Sequence, residues 1–301
     1  MGGSVGPPQT PCHHDGSMEG RSRGWYGAIM TEPFVPHHAL VTAPGASPSR
    51  WMLVLHGILG SGGNFRSFAR RLAAAAPSWG FVLVDLRVHG QSVGAPPPHS
   101  LASAAADLAA LGDRLGLSFA GVMGHSFGGK VALAYAAAHP VDRVWVIDAS
   151  PGVRRDRGGA TEQVIRMLRD IPEPLPSRER FLEIVRARGS SAAIADWLAM
   201  NVRRADDGFR LRLDLDAIDA LLDDYFAVDL WPVVERAAGA SRLSVIVAER
   251  GGAFDEADRA RLAAIAAREP RVRAHLVAGA GHWVHVDAPD ALFAIIEGEL
   301  G

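Results

Sequence analysis

Apolar residues along this chain gather in short unbroken runs, separated by longer stretches of mixed character. "WMLVLH" (51–56), "FVLVD" (81–85), "FAGVMG" (119–124), "VWVID" (144–148), "LSVIVA" (243–248) and "VRAHLVA" (272–278) have strand length and read as strands buried on both faces. Between them, 63–76, 100–116, 127–138, 256–268 and 289–299 carry the helical period. Strand–helix alternation of this kind predicts an α/β fold built on a doubly wound, mostly parallel sheet. The alternation fails once. From 151 to 240 no strong strand run occurs, while "TEQVIRMLRD", "SRERFLEIVRAR", "AAIADWLAMNV" and "DAIDALLDDYF" look helical. This predicts a helical cap (151–240) inserted between two parts of one core, 38–150 and 241–301, over the sheet edge where open α/β sheets bind ligands. Residues 1–37 are rich in Gly and Pro without apolar periodicity, and a disordered leader is expected there.

Composition narrows the function classes. With 31 basic against 33 acidic residues the net charge is −2, and the basic residues are spread along the chain. That leaves no electrostatic footprint for nucleic acid or an anionic membrane. Cys12, the single cysteine, lies in the leader, so neither a disulfide framework nor a thiol nucleophile in the core is expected. His13, His14 and Asp15 beside it read as part of a polar tail rather than as a metal site. With no apolar run of signal-peptide or membrane-span length, a soluble, cytoplasmic protein is the expectation. The oligomeric state is left open.

Chemistry concentrates in "VMGHSFGGKVAL", residues 122–133, which fits two motifs at once. Read from Gly124 it matches G-x-x-x-x-G-K, a phosphate-cradling loop. That loop needs Ser or Thr after its lysine to ligate Mg²⁺, and here the next residue is Val131; the run also follows a third or later strand instead of the first. Read around Ser126 it matches G-x-S-x-G, a sharp strand-to-helix turn presenting a nucleophilic serine. Gly124 and Gly128 would keep side chains off the turn's own backbone, an apolar strand precedes, and a helix follows. The second reading requires a proton acceptor, amide donors for an oxyanion, and an acid to orient the acceptor. "GAGHWVHVDAPD" offers His282 in a glycine-rich loop before the last helix, in the Ser-then-His order of such hydrolases. "LHGILGSGGNF" turns at Gly57 after a strand, which would aim the amide of Ile58 at the site, with Phe127 as the other donor. Two positions compete for the acid. Asp148 ends the strand "VWVID". In "AERGGAFDEAD", after the next strand, the usual pattern puts Gly252 at the acid's place. Asp255 lies three residues on, where it could equally cap a helix, and Glu249 is nearer the strand, where an exposed loop role fits it equally well.

Taken in order, "LHGILGSGGNF", "VDLRVHGQS", "GHSFGGKVAL", "VIDASP" and "GAGHWVHVDAPD" resemble the AB-hydrolase superfamily over residues 51–301, and within it the small abhydrolase-domain esterases of mitochondria and their bacterial relatives. The resemblance implies an α/β-hydrolase fold, a helical cap, and hydrolysis of esters or thioesters without a cofactor or metal. The esterases it resembles carry an Asp in the block matching "IDASP", which favours Asp148 over Asp255.

The expected function is therefore a serine hydrolase of the carboxylesterase or thioesterase type. It would cleave an ester or thioester of a small to medium acyl group through an acyl-enzyme, with Ser126 as nucleophile, His282 as base and small molecules as its only expected partners. The same site would also suit a cofactor-free haloperoxidase or C–C bond hydrolase, and a ligand-binding protein with a vestigial triad is the alternative outside catalysis. The remaining candidates have plainer readings. His125 should point away from Ser126, His285 is a core or supporting histidine, and His89 shapes a loop rimming the pocket. His56 braces the oxyanion turn, and Lys130 is a solvated or carbonyl-bonded helix residue. Trp197, Met200, Phe209, Tyr225, Phe226 and Trp231 either line an acyl pocket or pack the insertion onto the sheet.

Overall fold

A computed structural model describes residues 1–3, 34–154 and 159–301. The chain enters through β1 (His38–Val41), then β2 (Arg50–Leu55), α1 (Arg66–Ala75), β3 (Trp79–Val84), α2 (Leu101–Leu115), β4 (Phe119–His125), α3 (Phe127–Ala138) and β5 (Val141–Ile147). An insertion follows: α4 (Gly159–Arg169), α5 (Arg178–Ala187), α6 (Ala192–Leu198), the hairpin β6 (Val202–Ala205) and β7 (Gly208–Leu211), α7 (Leu215–Ala227) and α8 (Trp231–Glu235). The chain then returns through β8 (Ala240–Ala248), α9 (Glu256–Arg268), β9 (Val272–Val277), α10 (Val284–Asp287) and α11 (Pro289–Glu297).

The seven-stranded sheet has the order β1-β3-β2-β4-β5-β8-β9; β1 runs antiparallel to β3 and every other pairing is parallel. The apolar runs are continuous because both faces are covered. Leu53 and Leu55 pack on one side with Leu108 and Leu111 of α2 and Val131 of α3, while Met52 and Val54 pack on the other with Leu72 of α1 and Ile296 of α11. Successive strand residues thus feed opposite cores. The six expected strands and five expected helices all form, with ends displaced by a few residues at most.

Four elements escape the pattern. β1 is a short edge strand with Leu40 facing solvent, so it never shows an unbroken apolar run. The insertion, expected to be all helical, contains the Arg-rich hairpin β6–β7, whose Phe209 pairs with Leu175. α10 is a single turn. The disordered leader was expected to reach residue 37. Residues 34–37 are instead tied down: Phe34 N donates to Asp107 Oδ1 (3.0 Å) and His37 N to Ser92 Oγ (2.7 Å). Residues 4–33 of that leader, with Cys12, His13, His14 and Asp15, lie outside the described residues. No described helix is long and apolar enough to cross a membrane.

Candidate active site

The functional side chains sit where β4, β5 and β8 end side by side. Ser126 occupies the turn between β4 and α3 with φ 52° and ψ −117°, a strained conformation for a residue with a side chain. Tight backbone packing imposes it. A Cβ on Gly124 would lie 2.0 Å from the Gly128 carbonyl oxygen, and one on Gly128 would lie 2.5 Å from that of His56. Ser126 N donates to Ile147 O (2.9 Å), and one strand further on Asp148 N donates to Ile246 O (2.7 Å). These bonds fix the serine and the acid candidate relative to each other through the sheet ladder.

Asp148 is fully buried and also has positive φ, 44°. Its Oδ1 accepts from Ala248 N (3.1 Å) and its Oδ2 from His282 Nδ1 (2.7 Å). A Cβ on Gly251 would come within 2.4 Å of that Oδ2, so the loop after β8 passes close only because it is glycine there. With Nδ1–H given to the carboxylate, neutral His282 carries its lone pair on Nε2. Asp255 is placed elsewhere: it is the N-cap of α9, accepting from Asp258 N at 2.8 Å. Glu249 accepts from Gly279 N (2.7 Å) at the base of the His282 loop.

The turn after β2 is held from both sides by histidines. His56 donates from Nδ1 to Gly57 O (2.7 Å) and accepts from Leu86 N at Nε2 (3.0 Å). His89 accepts from Leu59 N at Nε2 (3.0 Å) and donates from Nδ1 to Arg87 O (2.9 Å). Asn201 adds a bond to Leu59 O (2.9 Å). These roles require neutral rings, and burial supplies them: it pushes the pKa of His56 down and that of His89 down to about 3, where the neighbouring His56 acts in the same direction. The amide of Ile58 has no partner among the described residues. That of Phe127 is the first of α3, among the amides a helix leaves unpaired. His89 was expected only to shape a rim loop; its bond to the Leu59 backbone joins residues thirty apart, and nothing in either local sequence announces it.

A cavity of about 370 Å³ opens over these groups, lined by Ser126, His282 and Ile58 together with largely apolar walls. The insertion supplies Thr161, Val164, Ile194, Trp197 and Met200. Of the six insertion residues proposed for an acyl pocket, Trp197 and Met200 line it. Phe209 bridges to Leu175, Tyr225 packs on Phe127 (5.9 Å between rings) and Trp231 is buried beneath Arg261. Asn64, Phe65 and Trp283 were not anticipated; Trp283 meets Trp197 at 5.3 Å.

His125 lies beside His282, 4.8 Å between rings, and His285 beside His125. His125 Nε2 donates to the His282 carbonyl (2.8 Å), and burial, reinforced by His282 and His285, holds its pKa well below the usual histidine range. His285 lies on Phe65 (4.5 Å) and edge-on to His125 (5.0 Å), its pKa pushed down to about 4 by burial and by His282. Lys130, the lysine of the discounted phosphate loop, is buried with its ammonium turned to main-chain carbonyls.

Residues 50–208 match the family model described as the alpha/beta hydrolase fold. The mouse (Mus musculus) sn-1-specific diacylglycerol lipase ABHD11 is 30% identical over 245 residues, covering 79% of this chain and 76% of its own. Esterase YbfF of Escherichia coli K12 is 27% identical over 251 residues, covering 81% and 91% respectively. A solved marine microorganism esterase superposes with a TM-score of 0.74 at 23% identity, over 87% of this chain and 98% of its own. With a seven-stranded sheet, a serine on a strained strand-to-helix turn and these relatives, this chain belongs to the α/β-hydrolase family and is an esterase-type hydrolase.

Proposed function

We propose that the protein is a serine hydrolase that cleaves a carboxylic ester or thioester of a small to medium acyl group through an acyl-enzyme. The observation that carries this reading is the 2.7 Å bond from His282 Nδ1 to buried Asp148, on a histidine that lines the same cavity as Ser126. In the first half-reaction Ser126 Oγ bonds to the substrate carbonyl carbon while His282 Nε2 takes its proton. The carbonyl oxygen becomes an oxyanion, held by the amides of Ile58 and Phe127, the latter at the positive end of α3. Collapse expels the alcohol or thiol, which leaves with the proton from His282. Water then repeats the sequence on the acyl-enzyme and frees the acid. Asp148 keeps Nδ1 protonated and stabilises the imidazolium that forms in each half.

The insertion acts as the cap of this site, its apolar wall setting the acyl group that fits. The cavity of about 370 Å³ has no carboxylate, lysine or arginine among the described residues of its lining, which favours an uncharged acyl chain of modest length. A fluorophosphonate probe is expected to label Ser126, and Ser126→Ala to abolish labelling and lower kcat by about 10⁴ or more. Labelling that survives in that variant would overturn the reading. A rate series over acyl length with matched oxygen and sulfur esters then identifies the leaving group and chain length.

A further inference from the structure

Lys130 is the only lysine in the chain, and the proposed mechanism makes no use of it. It lies on the first turn of α3, the helix that begins directly after Ser126, and it is 1% exposed. Its ammonium donates to three carbonyl oxygens: Gly152 (2.7 Å), Tyr225 (2.6 Å) and Val228 (2.9 Å). The face of the Tyr225 ring stands 4.7 Å away. An ammonium has three donors, and here all three are used.

The positions of those carbonyls matter more than their number. Gly152 lies where the chain leaves β5 and the insertion begins. Tyr225 and Val228 lie where α7 ends and the insertion turns back toward the sheet. The same two stretches are laced to each other by Leu230 N to Pro151 O (2.8 Å) and Arg154 N to Phe226 O (2.9 Å). Lys130 therefore stands at the crossing of the insertion's two roots and holds both to the helix that carries Ser126.

A buried cation is an expensive way to fill this space. Burial pushes the Lys130 pKa down to about 8; Arg154 acts in the same direction, while Asp229, Asp224 and Asp258 oppose it. An apolar side chain of similar volume would avoid that cost, but it could not fix three carbonyls from two segments in one geometry. We propose that Lys130 is a positioning residue: by tying both roots of the insertion to the nucleophile helix, it sets where the insertion's wall of Val164, Ile194, Trp197 and Met200 stands over Ser126. This rests on the reading of Ser126 as the nucleophile.

The test compares Lys130→Met with the wild type on p-nitrophenyl acetate and p-nitrophenyl octanoate, with fluorophosphonate labelling as the control for the reading itself. Loss of the tie should leave Ser126 labelled and kcat on acetate within about threefold, raise KM on both esters, and change the octanoate-to-acetate ratio of kcat/KM by about tenfold. A residue that merely fills space would lower both esters alike and leave that ratio in place. A folded, labelled variant with the wild-type ratio would therefore overturn the proposal. Failure of the wild type to label at Ser126 would instead overturn the reading beneath it.

If Lys130→Met does not fold, the wild type decides. Treatment with acetic anhydride followed by mass spectrometry reports on Lys130 without ambiguity, because no other lysine exists. Acetylation should be about a hundredfold slower than in the urea-unfolded chain, and slower again, about fivefold, once Ser126 carries a bulky phosphonate that the insertion must close upon. Acetylation at the unfolded rate, or a rate indifferent to the phosphonate, would overturn the tie.

Discussion

Two buried carboxylates held by β8 each face a histidine. At its end, Asp148 accepts from Ala248 N and from His282 Nδ1 at 2.7 Å. Nearer its start, Glu299 accepts from Ser244 Oγ (2.8 Å), from Trp145 Nε1 (2.8 Å) and from Arg273 (3.1 Å), with His275 Nε2 at 3.7 Å. The second group has more donors and more charge. Burial alone would raise the Glu299 carboxyl, but the pull of His275 and the hydrogen bonds from Ser244 and Trp145 outweigh it and hold the pKa at about 2. A carboxylate–imidazole pair is thus no signature of chemistry by itself. What separates the two is the histidine's other side. His282 lines a cavity beside a strained serine, and Ile58, whose amide has no partner among the described residues, lines it too. His275 meets a carboxylate already saturated from several directions, and it is not among the residues that line the Ser126 cavity.

Breaking the first pair should have the largest effect. On the proposed mechanism, Asp148→Asn removes the charge that orients His282 and steadies its protonated form, and kcat is expected to fall by about 10⁴ with the fold intact. Steady-state rates together with circular dichroism check both halves of that statement. An active, folded Asp148→Asn enzyme would return the acid role to another residue.

The sequence made one of these regions legible and not the other, for a physical reason. The serine turn and the His282 loop are local: Gly124 and Gly128 flank Ser126 because the turn is too tight for a Cβ, and that constraint is written within five residues. The strands were legible because cover on both faces demands unbroken apolar runs. Glu299 is different. Its partners Trp145 and Ser244 lie 154 and 55 residues away, and only the closed sheet brings them together. The same holds for His56 and His89, whose partners are backbone amides some thirty residues distant. The insertion was the least legible part. Half-exposed Arg-rich strands such as β6 and β7 carry no core period, and which insertion residues reach the cavity depends on how its helices cross the sheet.

Breaking the second pair should cost stability and leave chemistry alone. Glu299→Gln would set an amide N–H against the Trp145 and Ser244 donors and leave Arg273 without its counter-charge. A loss of about 2–4 kcal/mol is expected with kcat unchanged. The pH dependence has a definite sign. A carboxylate held at about 2 in the folded protein, against an ordinary value near 4.5, contributes stability that is fully present above pH 4.5 and is lost as pH falls toward 2. Urea unfolding from pH 6 down to pH 3 should therefore show a shallower acid limb in Glu299→Gln than in the wild type. A fall in kcat with stability preserved would mean that this cluster reaches the site after all.

The smallest effect belongs to the third carboxylate, Asp255, which sharpens the contrast because the sequence offered it as a rival to Asp148. It caps α9 through a 2.8 Å bond from Asp258 N, and α9 also carries Glu256 and Asp258 in its first turn, so the helix start is doubly supplied with negative charge. Asp255→Ala removes one cap bond and nothing else that touches His282. A loss of about 1 kcal/mol is expected, visible as a fall in Tm of roughly 1–2 °C for a chain of this size. kcat should stay within about twofold of the wild type, since the imidazole keeps its Asp148 partner. Asp255→Asn should lie closer still to the wild type, because asparagine caps about as well as aspartate. Comparing kcat across Asp148→Asn, Glu299→Gln and Asp255→Ala separates the three roles only if the first stands alone. A loss beyond about tenfold in kcat for Asp255→Ala, with α9 still folded, would exchange the assignments of Asp148 and Asp255.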